Sequence, residues 1–185
     1  MHRDLLDNED AIAAHPMIAA VARGPEADVD LSFDPVPENM LDTVAPPEKT
    51  FTVLDSDATQ RQCVEAARAG HSFVMDGPPG TGKSQTITNV IAELLGSGKT
   101  VLFVSEKMAA LEVVYKRLAD SGLDHFVLEL HSHKATRKEV AGRLGQALTE
   151  QLGARGAMTS AQLADIEKRR AELNDYATAH NEVRH

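Results

Sequence analysis

The chain has 185 residues, enough for one domain or for a domain with a helical appendage, and its apolar content rests on aliphatic residues and alanine, with no Trp and only seven Phe and Tyr. That mix argues against an all-β fold and suits helices packed on a sheet. The net charge is −9, yet residues 1–60 hold 3 basic and 13 acidic groups while residues 131–185 hold 9 and 7, so the acidity belongs to the N-terminal segment and the C-terminal excess is too small to form a basic patch.

The single cysteine, Cys63, excludes an internal disulfide, and no apolar run approaches the roughly 18 residues needed to span a bilayer. Met1–Asp10 carries four acidic groups in place of the basic-then-apolar order of a signal peptide, so a cytoplasmic protein with no membrane partner is expected. Residues 1–50 read as an acidic leader. It holds a helical stretch around Asp10–Arg23, interrupted by Pro16, and then a loop rich in Asp, Glu and Pro from Gly24 to Pro47.

From Ser56-Asp57 a helix begins that sets Cys63, Val64 and Ala67 at helical spacing and stops at Gly70. Ser72–Met75 is short and apolar, ends at Asp76-Gly77, and predicts a buried strand feeding a turn. Ile87, Val90, Ile91, Leu94 and Leu95 then recur at the spacing of an amphipathic helix that ends at Gly96 and Gly98. Thr100–Val104 predicts a second strand. Met108, Leu111, Val114, Tyr115 and Leu118 line a further helix closed by Gly122, and Phe126–Leu130 predicts a third strand. Strands alternating with helices imply a parallel sheet with right-handed crossovers, an open α/β architecture over residues 51–135.

Beyond His131 the strand pattern stops. Thr136 with Glu139 forms a capping-box signature for a helix with Val140, Leu144, Leu148 and Leu152 on one face, and Gly153–Gly156 breaks it. A second helix from about Ser160 places Leu163, Ile166, Arg170, Leu173 and Ala177 at steps of three and four, so residues 136–185 predict an antiparallel helical hairpin.

The chemistry is concentrated between the first strand and its helix. Gly77-Pro78-Pro79-Gly80-Thr81-Gly82-Lys83-Ser84 matches the G-x-x-x-x-G-K-[ST] phosphate loop. The glycines let backbone N–H groups point at phosphate oxygens with no Cβ in the way, and Pro78 and Pro79 stiffen the entry. Lys83 would set an ammonium against the β- and γ-phosphates, Ser84 would offer a hydroxyl to Mg²⁺, and the next helix presents its positive end to the anion. The expected ligands are a nucleoside triphosphate, ATP, and Mg²⁺, with Lys83 and Ser84 as the catalytic pair. Hydrolysis also needs a carboxylate at the end of another strand. No apolar run after Lys83 ends in Asp-Glu or Asp-Asp, and Glu129, the nearest candidate, sits inside Phe126–Leu130, so the site is expected to lack its hydrolytic half.

Four blocks carry a family resemblance: Val53-Leu54-Asp55-Ser56-Asp57-Ala58-Thr59-Gln60; the phosphate loop extended through Gln85-Thr86; Val101 to Leu111, with Ser105-Glu106-Lys107 at its centre; and Leu128-Glu129-Leu130-His131-Ser132-His133-Lys134. Over Val53–Val140 the chain resembles the first motor lobe of superfamily 1 helicases, in particular the large bacterial helicase-like ATPases with a domain of unknown function ahead of the motor and a Vsr-type nuclease domain at the far end. The resemblance implies an incomplete RecA-like P-loop NTPase sheet, without Walker B or a second lobe, followed by a stalk-like insertion. It implies that Gln60 is the Q-motif glutamine reading the Hoogsteen edge of adenine and that Ser105, Glu106 and Lys107 stand at motif Ia, against single-stranded DNA or RNA. Gln85 and Thr86 face either the nucleotide or the outer side of their helix. His131 and His133 lack a third ligand at fixed spacing and read as a polar loop. Other readings stay open: a small self-contained P-loop ATPase or kinase, an AAA+-like module, or a nucleotide-stabilised scaffold that self-associates through an exposed edge or the hairpin.

Overall fold

The computed structural model describes residues 2–26, 30–130, 137–149 and 158–181. Its helices are α1 (His2–Asp7), α2 (Glu9–Ala13), α3 (Pro16–Arg23), α4 (Leu41–Val44), α5 (Ala58–Ala69), α6 (Lys83–Gly96), α7 (Met108–Asp120), α8 (Arg137–Thr149) and α9 (Ser160–Asn181). Pro16 interrupts the N-terminal helical stretch by opening α3, where a missing N–H costs nothing because the first turn has no acceptor for it.

α6 is the central element, with α5 against one side and α7 against the other. Ile91 of α6 is buried with Val114 and Leu118 of α7, and Ile87, Leu95, Val101, Phe103, Leu123 and Val127 pack around them. Toward α5 the buried residues are Val64, Ala66 and Ala92. Burial of each larger side chain contributes about 1.5–3 kcal/mol, so the α6–α7 seam is the main source of cohesion. Residues 36–45 join this body: Leu41 and Ala45 are buried, and Gln62 of α5 donates to the Val36 carbonyl at 2.8 Å.

The predicted parallel sheet is not formed. Among the described residues there is no strand, and the arrangement is helical, with irregular segments at 72–76, 100–106 and 127–130. Segment 100–106 still alternates as a strand would. Val101 and Phe103 pack on the helices, whereas Leu102 and Val104 are 82% and 74% exposed. Val74, in the first expected strand, is 93% exposed. These segments exchange no backbone hydrogen bonds; instead residues 101–105 and 126–130 line one apolar cavity of about 340 Å³ with Leu95, Val114 and Leu118. A parallel sheet is stable when helices cover both of its faces. Here α6 and α7 cover one face, so one-sided side-chain packing holds the segments without a ladder. The α/β, RecA-like sheet is thereby replaced by a helical assembly with extended connections.

The two C-terminal helices take different partners. Arg143 of α8 pairs with Glu129 at 3.3 Å, while α9 rests on the turn Pro47–Lys49, with Arg170 donating to the Ala45 carbonyl at 3.0 Å and Asn174 to Asp42 at 2.9 Å. The Thr136–Glu139 capping box, the side chain of Leu148, Leu152 and the Gly153–Gly156 break lie outside the described residues. No helix among the described residues is long and apolar enough to cross a membrane.

Candidate phosphate-binding site

Asp57 caps α5: its carboxylate accepts from the Gln60 N–H at 2.8 Å, and the Gln60 Oε1 accepts from the Asp57 N–H at 3.3 Å. This reciprocal box fixes the first turn of α5 and the rotamer of Gln60 together. The other end of the Gln60 amide donates to the Thr81 carbonyl, 3.1 Å away in the glycine-rich loop. A primary amide has two N–H donors and two acceptor lone pairs, so one of each stays available at Gln60.

The loop itself is shaped by glycine. Gly80 and Gly82 adopt φ of +91° and +75°, in the left-handed region closed to most side chains. A Cβ on Gly77 would lie 2.7 Å from the Thr81 hydroxyl, and one on Gly82 would lie 2.6 Å from Gln60 Nε2. Of the two glycines the motif specifies, Gly82 is thus required by its backbone conformation and Gly77 is favoured by the close approach of Thr81, while Gly80 meets a conformational need at a position the motif leaves open. Pro78 supplies a carbonyl that accepts from Thr81 Oγ1 at 2.9 Å and from Lys83 Nζ at 2.8 Å; Lys83 Nζ also donates to the Gly77 carbonyl. Gly82 caps α6, and the Thr86 N–H makes the first helical bond, to the Gly82 carbonyl at 2.9 Å. The N–H groups of Gly80, Gly82, Lys83, Ser84 and Gln85 carry no backbone hydrogen bond among the described residues. They are a cluster of donors beside an ammonium group, an arrangement suited to an anion.

Behind the loop, α6 turns a polar row toward the segment before α5. Gln85 donates to the Asp55 carbonyl, so that residue uses its amide on the protein's own backbone. Asn89, fully buried, accepts from the Val53 and Leu54 N–H groups at 3.0 and 2.9 Å and donates to the Leu54 carbonyl at 3.0 Å. Glu93, also fully buried, accepts from the Phe51 N–H at 2.7 Å, and its other oxygen has no hydrogen-bond partner among the described residues. Burial pushes the Glu93 carboxyl above the usual glutamate range; the Phe51 N–H and Arg68 act in the opposite direction, and Glu65 adds to the rise. Sequence reasoning missed Asn89 and Glu93. The signal was three polar residues at steps of four within an apolar helix.

Of the expected site residues, the structure brings Gln60, Thr81, Gly82 and Gln85 together, and Lys83 onto the loop carbonyls. Thr86 is buried, with its hydroxyl donating to the Gly82 carbonyl at 3.2 Å, so it belongs to the helix interior. Ser105 forms a local turn, its hydroxyl accepting from the Lys107 N–H at 3.3 Å, and Glu106 and Lys107 are exposed. Glu129 is engaged with Arg143. The described residues contain no group of three His, Cys, Asp or Glu able to hold a metal, and His131, Ser132, His133 and Lys134 lie outside them.

Comparison with known proteins adds three findings. The family described as AAA domain matches residues 55–184. An uncharacterized ATP-dependent helicase of Mycoplasma genitalium and its homolog in Mycoplasma pneumoniae are each 48% identical over 69 residues, a stretch that covers 37% of this chain and 6% of the relatives. The match thus spans a small fraction of those proteins' length. No solved structure matches the chain.

Proposed function

The chain belongs to this AAA-domain family, and from that premise we propose that it is the ATP-binding portion of a superfamily 1 DNA or RNA helicase-like ATPase of the large bacterial kind, working in the cytoplasm. One observation carries the reading: the glycine-shaped loop 77–82 ends in a helix whose first N–H groups make no backbone bonds, with Lys83 folded over the same loop and Gln60 at its edge. In this reading the N–H groups of Gly80, Gly82, Lys83 and Ser84 receive phosphate oxygens, and Lys83 exchanges its carbonyl partners for the β- and γ-phosphates. Gln60 reads adenine with its remaining donor and acceptor.

The residues fit Mg²⁺ as well, since Ser84 stands in the first turn of α6 with a hydroxyl that makes no hydrogen bond among the described residues. Ser84 would hold the ion through its hydroxyl, and the ion would supply positive charge to offset that of the phosphates. Ser105, Glu106 and Lys107, at the start of α7, are proposed to meet single-stranded nucleic acid in the wider protein. The chain by itself is proposed to bind ATP without efficient turnover, a reading supported by the engagement of Glu129 with Arg143.

The test is calorimetric titration of the chain with Mg·ATP, alongside steady-state hydrolysis with and without single-stranded DNA. Lys83→Ala is expected to weaken binding at least about tenfold, as loss of one charge-assisted contact implies. Unchanged affinity in Lys83→Ala would refute the phosphate role, and DNA-stimulated turnover would refute the absence of hydrolysis.

A further inference from the structure

Segment 51–57 precedes α5 and carries the cap that holds Gln60, yet among the described residues it has no strand neighbour to bond its backbone. What fixes it is α6. Gln85, Asn89 and Glu93 stand at i, i+4 and i+8 on one face and engage Asp55, Leu54 with Val53, and Phe51 in that order. The pairing runs antiparallel, and its pitch is matched: a helix advances about 6 Å in four residues, and an extended chain about 6.6 Å in two. The row therefore does for this segment what a backbone ladder does for a strand.

We propose that the row Gln85–Asn89–Glu93, with Asn89 at its centre, is the positioning element for base recognition, setting the distance between Gln60 and the phosphate loop. The proposal rests on the nucleotide reading above. A closed circuit of bonds supports it. The loop runs into α6, α6 holds segment 51–55 through the row, that segment leads into the Asp57 cap, and the Gln60 amide returns to Thr81 at 3.1 Å. Each link is a hydrogen bond or a covalent continuation. With Asn89 removed, Val53 and Leu54 lose three bonds at once, and the cap that aims Gln60 loses its anchor while the loop keeps its own glycine-defined shape.

The phosphate and base ends of the site should then come apart under mutation. The full 185-residue chain is titrated with Mg·ATP, Mg·GTP and inorganic tripolyphosphate as parent, Asn89→Ala, Gln60→Ala and Lys83→Ala, with circular dichroism confirming the fold. Asn89→Ala is expected to lower the ATP:GTP affinity ratio about tenfold, the discrimination of one bidentate amide–base pair, while tripolyphosphate affinity stays within about twofold. Val53→Pro removes one donor to Asn89 from the other side of the bond and is expected to lower the ratio less; it takes the place of Asn89→Ala where that variant does not fold. An unchanged ratio in the folded variants, with the ratio lowered by Gln60→Ala, would overturn the proposal. Unchanged tripolyphosphate binding in Lys83→Ala would instead overturn the nucleotide reading itself, so the two failures are distinct.

Discussion

Gly96→Ala sets helix propensity against packing, and the structure gives numbers for both. Gly96 is the last residue of α6, where alanine gains at most about 1 kcal/mol over glycine. A Cβ there would lie 2.3 Å from Phe51 Cγ, 2.6 Å from Cδ2 and 2.7 Å from Phe51 Cβ. Ordinary carbon contacts fall near 3.5–4.0 Å, so the neighbour must retreat by roughly 1 Å. A change of the Phe51 χ1 rotamer relieves the first two contacts but leaves the third, which requires the Phe51 backbone to move. That backbone is tied by its N–H to Glu93 at 2.7 Å. Overpacking of this sort costs about 1–3 kcal/mol, so the variant is expected to lose about 1–2 kcal/mol net and to melt a few degrees lower. The chain has no Trp, so the assay is a far-ultraviolet circular dichroism melt and a urea titration of parent, Gly96→Ala, Phe51→Ala and the double variant. In the Phe51→Ala background, alanine at 96 is expected to stabilise, giving a coupling of about 2 kcal/mol. A higher melting temperature for Gly96→Ala alone, with no coupling to Phe51, would refute the argument.

Two further outcomes follow from the polar contacts. Burial raises the folded-state pKa of Glu93, so the folded chain holds that proton more tightly than the unfolded chain, and stability falls as pH rises from the ordinary glutamate value through the raised one. Glu93→Gln is expected to flatten that decline in urea midpoints and to exceed the parent at neutral pH; an unaltered pH profile would sink the assignment. Asp42 takes hydrogen bonds from Arg61 of α5 at 2.9 Å and Asn174 of α9 at 2.9 Å, with Arg170 at 3.6 Å. Partial burial raises its pKa, but these partners outweigh that effect and hold it below the usual carboxylate range. Asp42→Asn is expected to cost about 1 kcal/mol, the order for half-exposed pairs, and to speed proteolysis within α9 selectively. Equal cleavage rates in parent and variant would count against the tether.

The helices were legible where the chain repeats an apolar residue at helical spacing, as at Ile87, Ile91 and Leu95 or at Leu111, Val114 and Leu118. The turn chemistry was legible too, because Gly80 and Gly82 adopt conformations that few other residues tolerate. The sheet was misread for a definite reason. Apolar runs such as Thr100–Val104 report extended backbone and a buried face, both of which occur at Val101 and Phe103, but they carry no information on whether a neighbour lies within bonding distance. Gln60 was singled out and does lie against the loop, though its contacts with Asp57 and Thr81 were visible only in three dimensions. Gln85 was read as facing nucleotide or solvent, and it bonds the Asp55 carbonyl. Asn89 and Glu93 were passed over because polar residues inside an apolar stripe look like noise until the backbone they serve is in view.

Because Gln85, Asn89 and Glu93 bond peptide groups, the side chains of residues 52–55 take no part in that recognition. The information that holds this stretch is written in the helix and not in the stretch itself. Exchanges at Thr52 or Val53 that keep the peptide N–H and an extended backbone should be silent, whereas a single change at Asn89 releases Val53 and Leu54 together. A mutational scan across this region would therefore show its tolerance and its intolerance thirty to forty residues apart in sequence, on opposite sides of one set of hydrogen bonds.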